Sequence, residues 1–76
     1  MGKQGTYNKQ PIGIKSEGMI GWAVYDLFVD GGEDYCIAGV IGETPRKYKL
    51  YWSPKRESSY FNYRGRRMYL ADFIRS

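Results

Sequence analysis

The chain has no histidine and a single cysteine, Cys36, among its 76 residues. The first absence removes the side chain that most often moves protons near neutral pH and the usual nitrogen ligand of zinc. A histidine-based catalytic triad and a Cys/His metal centre are therefore excluded. The second absence excludes an internal disulfide. Apolar runs are short, far below the roughly 18 residues of a membrane helix, and the N-terminus lacks the apolar stretch of a signal peptide. The expectation is an intracellular, cytoplasmic protein with no membrane segment.

The residues that do carry chemistry fall short of a reaction. Cys36 lies between Tyr35 and Ile37 and reads as a small buried hydrophobe, because no base accompanies it. Asp26, Asp30, Glu33 and Asp34 are close in sequence but lack the alternating ligands of a calcium loop. Asp30-Gly31-Gly32-Glu33 reads instead as a hairpin turn. The segment GVIGETPRK has glycines and a lysine without the Gly-Lys-Ser/Thr ending that wraps phosphates. No enzyme, cofactor or metal is expected.

Against these absences stands a content of 42% hydrophobic and 17% aromatic residues, with eight tyrosines. That is too apolar for a disordered tail, and the length suits one domain. So short a chain buries a small fraction of its surface, and mini-domains compensate with disulfides, metals or partner subunits. With the first two excluded, a homo-oligomer is expected.

Residues 1–17 are rich in Gly, Gln, Asn and Lys without sustained periodicity and read as a mobile arm, leaving 18–76 as a single β domain. In that body MIGWAVYDLFVD, YCIAGVIG, KYKLYW, SYFNY and RRMYL are short runs of β-formers. DGGED, GETPR, SPKRES and Arg64-Gly65 supply the turns between them. In the first run Ile20, Trp22 and Val24 alternate on one face and Tyr25, Leu27 and Val29 on the other, which predicts a bulge near Val24-Tyr25 or a strand covered on both faces. Leu70, Phe73 and Ile74 recur at helical spacing and predict a short C-terminal helix. The fold class is all-β: a small antiparallel five-stranded meander, or an SH3-like or OB-like partly open barrel, with that helix at its end.

The net charge of +4 hides an asymmetry, for residues 1–45 sum to −3 and residues 46–76 to +7. A basic half suits phosphate binding, since each cation near a phosphate releases counterions. If Arg64-Gly65 is a two-residue turn, Tyr63 faces Arg66, Asn62 faces Arg67, Phe61 faces Met68 and Tyr60 faces Tyr69. Parity then puts Phe61, Met68 and Leu70 in the core, and in KYKLYW it turns Tyr48, Leu50 and Trp52 inward. The outward set is Lys47, Lys49, Tyr51, Tyr60, Asn62, Arg67 and Tyr69. Tyrosines that stack on bases, cations that hold a backbone and an amide that bonds a base edge make a face suited to DNA or RNA. Tyr and Arg are also enriched at protein interfaces, so a host protein or a second copy of the chain is the alternative ligand.

The closing pattern, an aromatic strand, Arg-Gly-Arg-Arg, then Met-Tyr-Leu-Ala-Asp-Phe-Ile-Arg over residues 60–75, resembles the ends of small orphan accessory proteins of phages, plasmids and integron cassettes. The resemblance implies an accessory role toward host machinery and transfers no functional residue.

Overall fold

A computed structural model describes residues 9–75. Eight strands follow one another: β1 (Gly13–Glu17), β2 (Ile20–Asp30), β3 (Glu33–Val40), β4 (Arg46–Lys49), β5 (Tyr51–Ser53), β6 (Ser58–Tyr63), β7 (Arg66–Tyr69) and β8 (Ile74–Arg75), with a 3-10 turn at Leu70–Asp72 before the last. Every pairing is antiparallel, in two sheets ordered β4-β3-β2-β1-β8 and β5-β6-β7.

Turn chemistry sets the registers. Gly31 and Gly32 take φ of 62° and 83°, and Arg64 and Gly65 take 51° and 82°. Positive φ at both central residues is what a tight hairpin needs to match strand twist. Asp30 consequently pairs with Glu33, and Tyr63 with Arg66, as the sequence predicts. Of the two explanations for the change of face in β2, the bulge is present: the β2–β3 register jumps between Val24 and Asp26. It lets one long strand turn Trp22 and Val24 into the core and then continue past the end of β1, still paired with β3.

The two sheets share one core. Phe61 and Met68, opposite each other on β6 and β7, are 1% and 0% exposed, and they pack with Trp22, Val24, Cys36, Ala38 and Phe73. Phe61 is the joint between the sheets, with its ring 4.9 Å from that of Tyr48 and 6.2 Å from that of Phe73. Deleting a buried phenyl costs about 3–5 kcal/mol, a large share of the stability of so small a domain.

The structure differs from the sequence reading at four places. Gly13–Glu17, expected within the arm, forms β1 between β2 and β8; residues 1–8 of that arm lie outside the described residues. Its polar residues hide the strand, because ladder bonds on both sides hold it and local propensity does not register them. KYKLYW is two strands, not one. Leu50 donates its backbone N–H to the Asp34 carbonyl at 2.8 Å, and beyond it the chain leaves β3 and pairs with β6. Trp52, expected inward, is 61% exposed; it faces Ser59 in register, at an end of the small sheet where no strand covers it. The expected C-terminal helix is one 3-10 turn, after which Ile74 pairs with Ile14. Phe73 enters the core while Ile74 points out, so the helical spacing is not a helical face.

Pairing thus runs continuously from β8 through β1, β2 and β3 to β4, and from β5 to β7. The corners at Leu50 and Leu70–Asp72 interrupt it, so the described residues do not close a barrel.

Candidate functional site

The outer face of the β5-β6-β7 sheet carries a row of three tyrosines. Because Phe61 and Met68 point inward, their neighbours Tyr60 and Tyr69 point outward, and Tyr51 joins them opposite Tyr60. The ring centroids are 5.7 Å apart from Tyr51 to Tyr60 and 5.3 Å from Tyr60 to Tyr69. Such cross-strand aromatic pairs stabilise a sheet and also leave ring faces toward solvent.

Cations cover part of that row. The Arg67 guanidinium lies 4.6 Å over Tyr60 and that of Arg56 lies 4.1 Å over Tyr69. The Arg67 guanidinium beside the Tyr69 hydroxyl draws that hydroxyl below the usual tyrosine pKa and is itself held firmly charged. Asn62, opposite Arg67, is exposed beside them.

Lys47 and Lys49 reach the same side from β4, in the other sheet. Together with Tyr51 and Asn62 they line a shallow hollow of about 230 Å³. All seven outward residues read from the sequence therefore lie on one side of the molecule, in two groups. The lysines differ from Arg67 in one respect: each is tied to a carboxylate of the β2–β3 hairpin, Lys47 to Asp30 at 3.1 Å and Lys49 to Glu33 at 3.0 Å. The Glu33 bond pushes the Lys49 pKa up. Lys47 further sits 4.2 Å over the Tyr35 ring.

These ties fold the charge asymmetry of the sequence back on itself. Acids of the first half meet bases of the second: Asp30 with Lys47, Glu33 with Lys49, and Glu17 with Arg66 at 2.8 Å. Among the described residues Arg46, Lys55, Arg64 and Arg67 form no ion pair. Of the expected cations, Arg67 alone keeps its charge free of a carboxylate.

Sequence reasoning missed Arg56. It stands in the turn between β5 and β6, pairs with Asp72 at 3.2 Å and covers Tyr69. Only the tertiary fold brings residues 56, 69 and 72 together, and the sole local signal was a basic residue in the turn beside an aromatic strand.

The rest of the chemistry is quiet. Cys36 is fully buried, and desolvation pushes its thiol up to about 12, which keeps it protonated and unreactive. No three His, Cys, Asp or Glu side chains group to hold a metal ion among the described residues. No helix among them is long and apolar enough to cross a membrane. In comparisons with known proteins the chain matches no family model, no curated protein and no solved structure.

Proposed function

We propose that the protein is a non-enzymatic cytoplasmic binding module that holds single-stranded nucleic acid on the outer face of its small sheet. The observation that carries this reading is the row Tyr51, Tyr60 and Tyr69, with Arg67 laid over its centre and free of any carboxylate among the described residues. Bases stack on aromatic rings and on guanidinium planes alike, so Tyr60 and Arg67 together form one stacking step. Asn62 supplies a hydrogen-bonding amide at the edge, while the lysines of β4 lie beside the row with their charge held by Asp30 and Glu33.

The scaffold fits an SH3-like partly open barrel, because a consecutive antiparallel meander ends in a 3-10 turn and a final strand that returns to β1. The accessory role implied by the C-terminal pattern is compatible with either a nucleic-acid target or a host protein. Self-association belongs to the proposal on a separate surface. Leu27, Val29 and Trp52 are exposed near Ser59 at one open end, an apolar patch suited to a second copy of the chain. Sedimentation equilibrium of the wild type and of Trp52→Ser tests that part, and a monomeric wild type sinks it.

The central test is fluorescence anisotropy of labelled single-stranded DNA and RNA, titrated with the protein at about 50 and 200 mM salt, where phosphate contacts show their slope. Saturable binding at both concentrations is expected. Tyr60→Ala weakens it by about 1–3 kcal/mol, the worth of one base stacked on a ring, while the domain stays folded at the assay temperature despite the loss of its cross-strand ring pairs. No binding above that of a size-matched +4 protein removes the nucleic-acid reading and leaves a host protein as the ligand.

A further inference from the structure

A second, larger concavity lies where the two sheets splay apart. It has a volume of about 640 Å³, within the range of small-molecule sites, and its wall includes Thr44, Arg46, Tyr48, Tyr63, Arg64 and Glu43. The splay follows from the corner at Leu50: β4 stays with β3 while β5 leaves for β6, so the start of β4 and the β6–β7 turn face each other across a gap.

Its charges are distinctive. Arg46 and Arg64 are two of the cations that form no ion pair among the described residues, and both line this gap. Glu43 lines it too without pairing to either. Both arginines are exposed and neither is paired to a carboxylate among the described residues, so two guanidinium forks are available to one anion in this gap. The hydroxyl-bearing walls add donors. Tyr48 is pushed above the usual tyrosine pKa, chiefly by burial, so its hydroxyl stays protonated. Tyr63 meets Tyr48 edge-on at 6.4 Å. Behind them Trp22, which pairs with Val40 and meets Tyr63 at 6.4 Å, has a buried indole N–H with no acceptor among the described residues.

The shape of the donor set selects the anion. A carboxylate is planar and one guanidinium fork satisfies it, whereas a terminal phosphate spreads three oxygens and takes donors from several directions. Here the donors come from a strand, a hairpin turn and two aromatic walls of different sheets. Glu43 disfavours a bare inorganic anion but offers an acceptor to the hydroxyls or amino groups of an attached nucleoside.

We propose that this gap is a binding site for the terminal phosphate of a nucleotide, presented either by a free nucleoside monophosphate or by the end of a strand. It uses none of Tyr51, Tyr60, Arg67 or Tyr69, so it stands or falls separately from the tyrosine row.

The test is a backbone amide chemical-shift titration of the full chain with adenosine 5′-monophosphate, adenosine and inorganic phosphate, followed by anisotropy with one oligonucleotide bearing or lacking a 5′-phosphate. The expected result is saturable shifts at residues 43–48 and 63–64 with the monophosphate and none with adenosine. Arg64→Asn is the decisive variant, because Asn tolerates the positive φ of 51° and Asn-Gly is a favoured hairpin pair; it should retain the β6–β7 turn while weakening phosphate binding at least tenfold. Arg46→Gln should do the same from the other wall, and Glu43→Gln should let inorganic phosphate bind more tightly. Binding of the monophosphate with no oligonucleotide difference assigns a free nucleotide; tighter binding of the phosphorylated oligonucleotide assigns a strand end. The proposal is overturned if neither phosphate source binds here, or if a folded Arg64→Asn binds as tightly as the wild type. Tyr60→Ala should leave the monophosphate titration unchanged, which separates failure of the gap from failure of the row.

Discussion

Strands β4 and β7 both present basic side chains to the same side of the molecule, yet the two surfaces are electrically different. On β4, Lys47 and Lys49 each lie against a carboxylate from the neighbouring hairpin. On β7, Arg67 lies against tyrosines and opposite Asn62, with no carboxylate paired to it among the described residues. The lesson is that a count of cations along a chain measures potential partners rather than available charge. Sheet register decides which cations remain free, and that is invisible until β3 and β4 are paired.

The comparison depends on both strands being held by one core, and the largest expected effect comes from removing that. Phe61 packs against Tyr48 of β4's sheet and lies opposite Met68 of β7. Phe61→Ala should cost about 3–5 kcal/mol in urea unfolding and lower the signal of both sheets in a single transition. Two separate transitions, or a loss below about 1 kcal/mol, the scale of an ordinary surface change, would mean that the sheets are held independently.

A sharper variation leaves the fold alone and converts the β4 surface into the β7 kind. Asp30→Asn with Glu33→Gln frees both lysines while leaving the side-chain volumes nearly unchanged, and both carboxylates are exposed. If the lysines then engage phosphates of a bound single strand, the slope of log affinity against log salt should steepen by about 1.4, at roughly 0.7 per phosphate. An unchanged slope would place the strand away from β4, on the tyrosine row alone.

How much of this was legible beforehand differs element by element. The β6–β7 hairpin was readable because Arg64-Gly65 suits a two-residue turn, and that turn, once adopted, dictates every pairing from Tyr63↔Arg66 to Tyr60↔Tyr69. The bulge in β2 was readable because the apolar pattern changes face within one run. By contrast β1 and the corner at Leu50 owe their form to partners distant in sequence. At Gly13, for instance, an added Cβ would come within 3.1 Å of the Cβ of Phe73, a tight contact that only the folded C-terminus creates. The row of tyrosines followed from parity and could be named in advance. The neutralisation of Lys47 and Lys49, the cover that Arg56 gives Tyr69, and the gap between Arg46 and Arg64 all required the second sheet to be in place.

The smallest expected effect concerns a third pair that joins the two halves of the chain. Hydrogen bonds from Arg66, and then from Lys15, lower the Glu17 carboxyl from its ordinary 4.5 to about 2. A carboxyl with a depressed folded pKa contributes stability that is fully present above its unfolded value and is lost as pH falls through the folded one. The contribution of this pair should therefore be complete above pH 4.5 and fade as the pH falls toward 2. The site is open to solvent, so screening keeps the effect small. It is best read locally, by following the Glu17 side-chain carboxyl carbon through an acid titration by NMR. The wild type should titrate near 2, and Arg66→Gln should move the midpoint upward while Lys15 still holds it below the ordinary value. An Arg66→Gln midpoint equal to that of the wild type would show that the two halves are not joined here, and that the basic second half keeps Arg66 as one more free cation alongside Arg67.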